Sequence, residues 1–150
     1  MKLWVVILII VSLMWQKGVV MYDYRKSMSE DILDYLMYEY KDIQNIKREY
    51  ADYQSLYEDI NDRLWTADSV TGNGSGSYTF DREKAREYVN DNMELAVEAC
   101  KEFDCIEKFA EKLAGDEYEW IDVTIRCYLL GEVLGPVLDD YIRDNGIEVA

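Results

Sequence analysis

Residues 119–138 read EWIDVTIRCYLLGEVLGPVL, the last apolar block of the chain. Within it Trp120, Val123, Thr124, Cys127, Leu130, Leu134 and Leu138 recur three or four residues apart. That spacing gathers them on one helical face and makes the block the expected centre of a helical core. Gly135-Pro136 falls inside the pattern. Proline lacks an N–H and crowds the preceding turn, so it marks a kink or a new first turn, and the block is expected to form a central helix pair. Asn145-Gly146 reads as the final stop. Asp122 and Arg126 stand four apart among apolar neighbours. The expected role of the two is a structural ion pair, because either charge left alone inside would be costly. Part of a ligand or partner pocket is the second reading, and catalysis the third.

The segment before this block carries weaker helical signals. Asp81 or Thr79 is suited to cap a helix whose face holds Ala85, Tyr88 or Val89, Asn92, Leu95, Ala96, Ala99, Cys100 and Phe103. Asp104 is suited to cap a short successor through Ile106, Phe109, Ala110 and Leu113 that ends at Gly115. Residues 67–79, ADSVTGNGSGSYT, break the periodicity and supply the Gly/Ser-rich loop. A phosphate-binding loop would need Lys and then Ser or Thr directly after its glycines, and these are missing. The expectation is an ordered loop that docks Tyr78 and Phe80 on the helices, with Tyr78 also a candidate partner contact.

Closer to the N-terminus, Ser27-Met28-Ser29-Glu30 fits a capping box ahead of Ile32, Leu33, Leu36, Tyr40 and Ile43. A second stripe runs Ile43, Ile46, Tyr50, Tyr53, Tyr57, Ile60 and Leu64. Three tyrosines in that seam disfavour a two-stranded coiled coil, since each hydroxyl must reach water or a partner. Two antiparallel helices or one long bent helix are expected, with a break near Asp42 to Asn45. Of 13 tyrosines, eight lie between Tyr22 and Tyr57, which makes this region the place to look for a recognition surface. Tyr50, Tyr53 and Tyr57 read as structural, whereas Tyr35 and Tyr38 lie off the best stripe and read as partner contacts.

Residues 1–20 differ in character. One lysine precedes an apolar run from Leu3 to Trp15 that is shorter than the roughly 20 residues a spanning helix needs, and no small-residue cleavage pair follows it. Lys17-Gly18-Val19 is encodable as AAAGGAG, a ribosome-binding signal just before the Met21 codon. The leader is therefore expected to be an overextended translation start, with a membrane anchor as the alternative and an apolar element packed on the body as a third. Residues 21–150 are expected to form a single acidic helical domain.

Composition narrows the chemistry. The chain of 150 residues holds 31 acidic and 16 basic residues, a formal charge of -15 at pH 7. Such a surface repels nucleic acid and attracts proteins with a basic surface. Histidine is absent, which excludes a histidine-dependent triad or zinc site. Cys100, Cys105 and Cys127 have no metal or redox spacing and are expected to be reduced, in a cytoplasmic protein. Acid pairs such as Glu117 with Glu119, Asp139 with Asp140 and Glu98 with Glu102 are what so acidic a chain contains by chance. No catalytic residue, cofactor or metal is expected.

Two blocks, GNGSGSYTFDREKAREYV at 72–89 and EWIDVTIRCYLLGEVL at 119–134, resemble a family of small acidic proteins of unknown function from phages, prophages and bacterial mobile elements. The resemblance covers roughly residues 70–143. The family often has Asn where this chain has Asp81, and either side chain caps a helix. The resemblance implies no catalytic residues. It implies a module that binds a host protein, in some cases by imitating the charge of nucleic acid. The combined expectation is an all-α bundle of about five or six helices that binds protein and inhibits or modulates a nucleic-acid-binding partner. The alternatives are a membrane-anchored accessory protein and a carboxylate-dependent enzyme.

Overall fold

The computed structural model describes residues 3–8, 21–40, 52–74, 78–147 and 149. It shows a small all-α bundle: α1 (Tyr24–Asp34), a π-helical turn (Tyr35–Glu39), α2 (Tyr53–Trp65), α3 (Arg82–Asp91), α4 (Met93–Glu102), α5 (Ile106–Ala114) and α6 (Tyr118–Asp144). Residues 3–8 are also helical, and no strand occurs among the described residues. The expected break at 42–45, together with Ile43, Ile46 and Tyr50, lies outside them.

Helix α6 is the hub. At 27 residues it is roughly 40 Å long, and α1, α2, α3, α4 and α5 all pack on it. Ile121, Asp122, Thr124, Ile125, Arg126, Cys127, Leu129 and Leu130 are buried, which covers every side of the helix over residues 121–130, whereas its second half has an exposed side. A helix surrounded in this way needs apolar residues all round rather than on one stripe. The expected helix pair is instead one continuous helix, because Pro136 sits on its exposed side. Its missing N–H strands only the carbonyl of exposed Glu132, where water is available.

Helix α1 begins earlier than the Ser27 capping box suggests. Asp23 is the N-cap and accepts from the Lys26 N–H at 3.0 Å, while Ser27 lies inside the helix and its hydroxyl meets the Tyr22 hydroxyl at 2.5 Å. The buried stripe is Tyr24, Met28, Ile32, Leu36 and Tyr40, a strict step of four. In an ordinary α-helix each such step drifts about 40° around the axis. The wider turn at 35–39, closed by the Tyr40 N–H donating to the Tyr35 carbonyl at 2.8 Å, takes up part of this drift and keeps Leu36 and Tyr40 inward. Leu33 is left outside, at 39% exposure, although its spacing placed it in the stripe.

Helix α2 is capped by Asp52, which accepts from the Ser55 N–H at 2.8 Å. Its buried seam is Leu56, Ile60 and Leu64, so the face is rotated from the tyrosine seam read in the sequence. Tyr53 and Tyr57 line its margin, half-buried against the core. The Tyr40 hydroxyl and the Arg63 side chain both donate to Asp59 at 2.9 Å, joining the end of the π turn to α2.

The long helix expected from 81 to 103 is two helices. Asp81 caps α3, accepting from the N–H groups of Glu83 and Lys84. At Asn92 the backbone leaves the helical region, and the Asn92 amide donates to the carbonyls of Tyr22 and Tyr88 at 2.8 and 2.9 Å. Phe103 is the C-cap of α4 and lies at the surface rather than on its buried face. Asp104 does not cap α5. It occupies the left-handed region at φ 53, and Cys105 is the N-cap residue.

In the leader, Ile7 joins the core cluster and Leu3 packs against it, while Trp4 and Leu8 are exposed. Residues 3–8 therefore touch the body, next to Glu94, Val97, Glu98 and Lys101 of α4. The rest of the leader lies outside the described residues. No helix among the described residues is long and apolar enough to cross a membrane.

Candidate functional site

Among the described residues, the buried pair of opposite charges is Asp122 and Arg126, one turn apart on α6 and exposed by only 1% and 3%. The Arg126 Nε donates to the Asp122 carboxylate at 3.2 Å. The hydroxyls of Tyr24 from α1 and Tyr78 from the loop donate to its two oxygens, each at 2.5 Å. The other edge of the guanidinium points to Asp31 and to the Val70 carbonyl, both at 3.4 Å. The Phe80 ring covers the guanidinium plane at 4.0 Å, and the Tyr24 ring lies 5.7 Å away. Three elements distant in sequence meet on one acid and one base.

The titration behaviour follows from this geometry. Burial and then the Asp122 carboxylate hold the Tyr24 hydroxyl well above its ordinary pKa, and the same two causes raise that of Tyr78. Burial opposes the Arg126 charge, but Asp122, Tyr24 and Tyr22 outweigh it and the guanidinium pKa is raised. Burial raises Asp31 despite the opposing pull of Arg126. The rings of Phe80 and Tyr24 cover the Arg126 charge. This cluster pins α1, the loop and α6 together.

The loop conforms to that task. Thr71 is fully buried, with its hydroxyl 3.1 to 3.2 Å from the carbonyls of Leu64, Trp65 and Ala67. Gly72 has φ 74, and a Cβ there would stand 3.0 Å from the Phe80 ring. Only glycine fits both demands. Tyr78 is thus turned inward to Asp122, and its hydroxyl is spent on that carboxylate rather than offered to a partner. Tyr35 is half-buried and stacks toward Tyr40 at 6.4 Å, so it too is mainly a packing residue.

Tyr38 differs. It is 69% exposed, on the same turn as Met37, which is 50% exposed. Leu33 and Met37 form, with Val137 of α6, the apolar floor of a groove of about 350 Å³. Glu30, Asp140 and Asp144 rim it. Arg143 bonds both aspartates, at 2.9 and 3.4 Å, and leaves the rim net acidic. Sequence spacing does not mark Leu33 and Met37 as site residues. Their signal is that a four-residue step fits Ile32 and Leu36, leaving a second pair of large apolar side chains one position along with no place inside.

The remaining acid pairs are dispersed. Glu117 meets Lys112 and Glu119 meets Arg82, each at 3.3 Å, while Asp139 takes a hydrogen bond from Tyr53. The three cysteines are free thiols. The turn between α4 and α5 brings Cys105 into hydrogen-bond contact with Cys100, and burial pushes the Cys100 thiol up to about 12. Burial likewise pushes Cys127 up to about 11. A thiol raised in this way is a poor nucleophile. Comparison with family models, curated proteins and solved structures finds no match to this chain.

Proposed function

We propose that this protein is an acidic docking module that seats a basic amphipathic helix of another protein in the groove between α1, the π turn and the end of α6. The observation that carries the reading is the exposure of Leu33, Met37 and Tyr38 together, beside a net acidic rim. Large apolar side chains at a helix surface favour a partner's apolar face, and the rim favours lysines or arginines along its edges. The formal charge of -15 adds long-range attraction for such a partner and none for nucleic acid. A nucleic-acid-binding protein is the partner class that this charge suits, in keeping with the mobile-element proteins that residues 72–89 and 119–134 resemble.

The test is a titration with a fluorescent Lys/Leu amphipathic helical peptide and a Lys-rich peptide of equal charge without the apolar face. The first peptide is expected to bind more tightly, and the Leu33→Ser/Met37→Ser variant to lose roughly tenfold or more in affinity. Equal binding of both peptides, or full retention by the variant, would show attraction by bulk charge and remove the groove from the proposal.

A further inference from the structure

Next to a cleft that shares no lining residue with the Leu33 groove, three aromatic residues come from three different elements. Trp65 ends α2, Phe103 follows α4, and Tyr128 projects from α6. The Trp65 ring stands at 85° to Phe103 with centroids 6.0 Å apart, and Tyr128 stands at 89° to it at 6.4 Å. Two rings are thus perpendicular to a third. Trp65 and Phe103 are 39% and 40% exposed although they are large and apolar. The rings border a cleft of about 460 Å³ whose lining also includes Glu102 and Glu132.

The charged residues that line the cleft are both acidic. Among the described residues that line it, none is a lysine or an arginine. Besides burial, the carboxylates of Glu98, Glu132 and Glu102 all raise the Tyr128 hydroxyl. Arg25 reaches the rim from α1, where it holds Glu132 at 3.0 Å, and both partners of that bridge are solvent-exposed. Aromatic faces carry negative quadrupolar charge, and all three rings border this one open cleft. Carboxylates at the edge add a full charge of the same sign.

We propose that this cleft binds an organic cation of the alkylammonium class, with Trp65, Phe103 and Tyr128 around its methyl groups and Glu102 and Glu132 at its edge. The cation is too large and too weakly hydrated to prefer water as an ammonium ion does, which suits it to aromatic walls. It takes over from Arg25 as the partner of Glu132. The proposal stands apart from the Leu33 groove, which shares no residue with the cleft.

The experiment is an NMR titration of the whole protein, following the Trp65 side-chain N–H, with three probes. Choline represents a free alkylammonium ligand, a short peptide with one trimethyllysine represents a modified side chain, and 3,3-dimethylbutan-1-ol is the uncharged isostere of choline. At least one cation is expected to saturate the signal in the millimolar range, with the uncharged alcohol weaker by roughly fivefold or more. The tighter cation identifies the source. Phe103→Leu and Glu102→Gln/Glu132→Gln are each expected to weaken binding severalfold, with folding verified by circular dichroism because all three positions are exposed. Equal binding of the alcohol would mean a merely apolar cleft, and no saturable shift with either cation would mean no site. Both results overturn the proposal.

Discussion

Replacing Asp122 by Asn keeps the shape of the side chain and removes its charge. In the native protein that carboxylate accepts from Tyr24, Tyr78 and Arg126, and Arg126 is buried. The variant leaves the guanidinium with Asp31 and the Val70 carbonyl, each at 3.4 Å, and Asp31 is partly open to solvent. It also turns an amide N–H₂ toward one tyrosine hydroxyl. Removing one member of a buried pair costs about 3–5 kcal/mol, against a total stability of about 5–15 kcal/mol for a domain of this size. Urea unfolding followed by circular dichroism should therefore show a midpoint lower by roughly 2 M, for an m-value near 2 kcal/mol/M. Adding Arg126→Met removes the stranded charge, so the double variant should recover about 1–2 kcal/mol relative to the sum of the single changes. A loss below about 0.5 kcal/mol for Asp122→Asn, or strict additivity in the double variant, would refute the pinning role.

Other perturbations probe separate parts of the fold. Gly131 lies inside α6 with nothing within 4 Å of an added Cβ, so Gly131→Ala should stabilise by about 0.5–1 kcal/mol in the same assay. Gly72→Ala should destabilise, because φ 74 and the Phe80 ring both oppose a Cβ. Asp81→Ala removes the acceptor for two N–H groups of α3 and should cost about 1 kcal/mol, read as a lower melting temperature. Tyr24 and Tyr78 keep their protons in the folded state beyond the ordinary value of 10.0, whereas in the unfolded chain they ionise at that value. Their contribution is therefore complete below pH 10 and is lost as pH rises above it, so stability should fall on the alkaline side. Absorbance titration should show at least two tyrosines ionising only with unfolding, and in Tyr24→Phe one fewer.

The helical class was legible because apolar residues recur at helical spacing on both sides of the loop at 67–79, and of the two candidate caps Asp81 and Thr79 it is Asp81 that caps α3. The hub was legible in the density of apolar residues from Trp120 to Leu138. Its continuity was not, since whether a proline interrupts a helix depends on whether water reaches the stranded carbonyl, and sequence does not state which side faces out. The Ser27 capping box lost to Asp23 because the buried stripe begins at Tyr24, which only a helix capped at Asp23 includes. The same ambiguity shifted the α2 seam from tyrosines to Leu56. Asp122 and Arg126 announced themselves by charge within an apolar run. Their partners Tyr24 and Tyr78 did not, because they come from 98 and 44 residues away. The aromatic cleft was hidden for the same reason, since Trp65, Phe103 and Tyr128 share no local pattern.

Among the described residues, every helix that packs on α6 precedes it in the chain, and a ribosome delivers them in that order. At about 5–20 residues per second, the wait between the emergence of Ile60 and that of Ile121 lasts roughly 3–12 s. During it Met28, Ile32, Leu56 and Ile60 have no hub to cover them. The nascent chain therefore holds its apolar faces open until α6 has been made, and its exposure to chaperones or premature self-association is set by synthesis speed through residues 61–144.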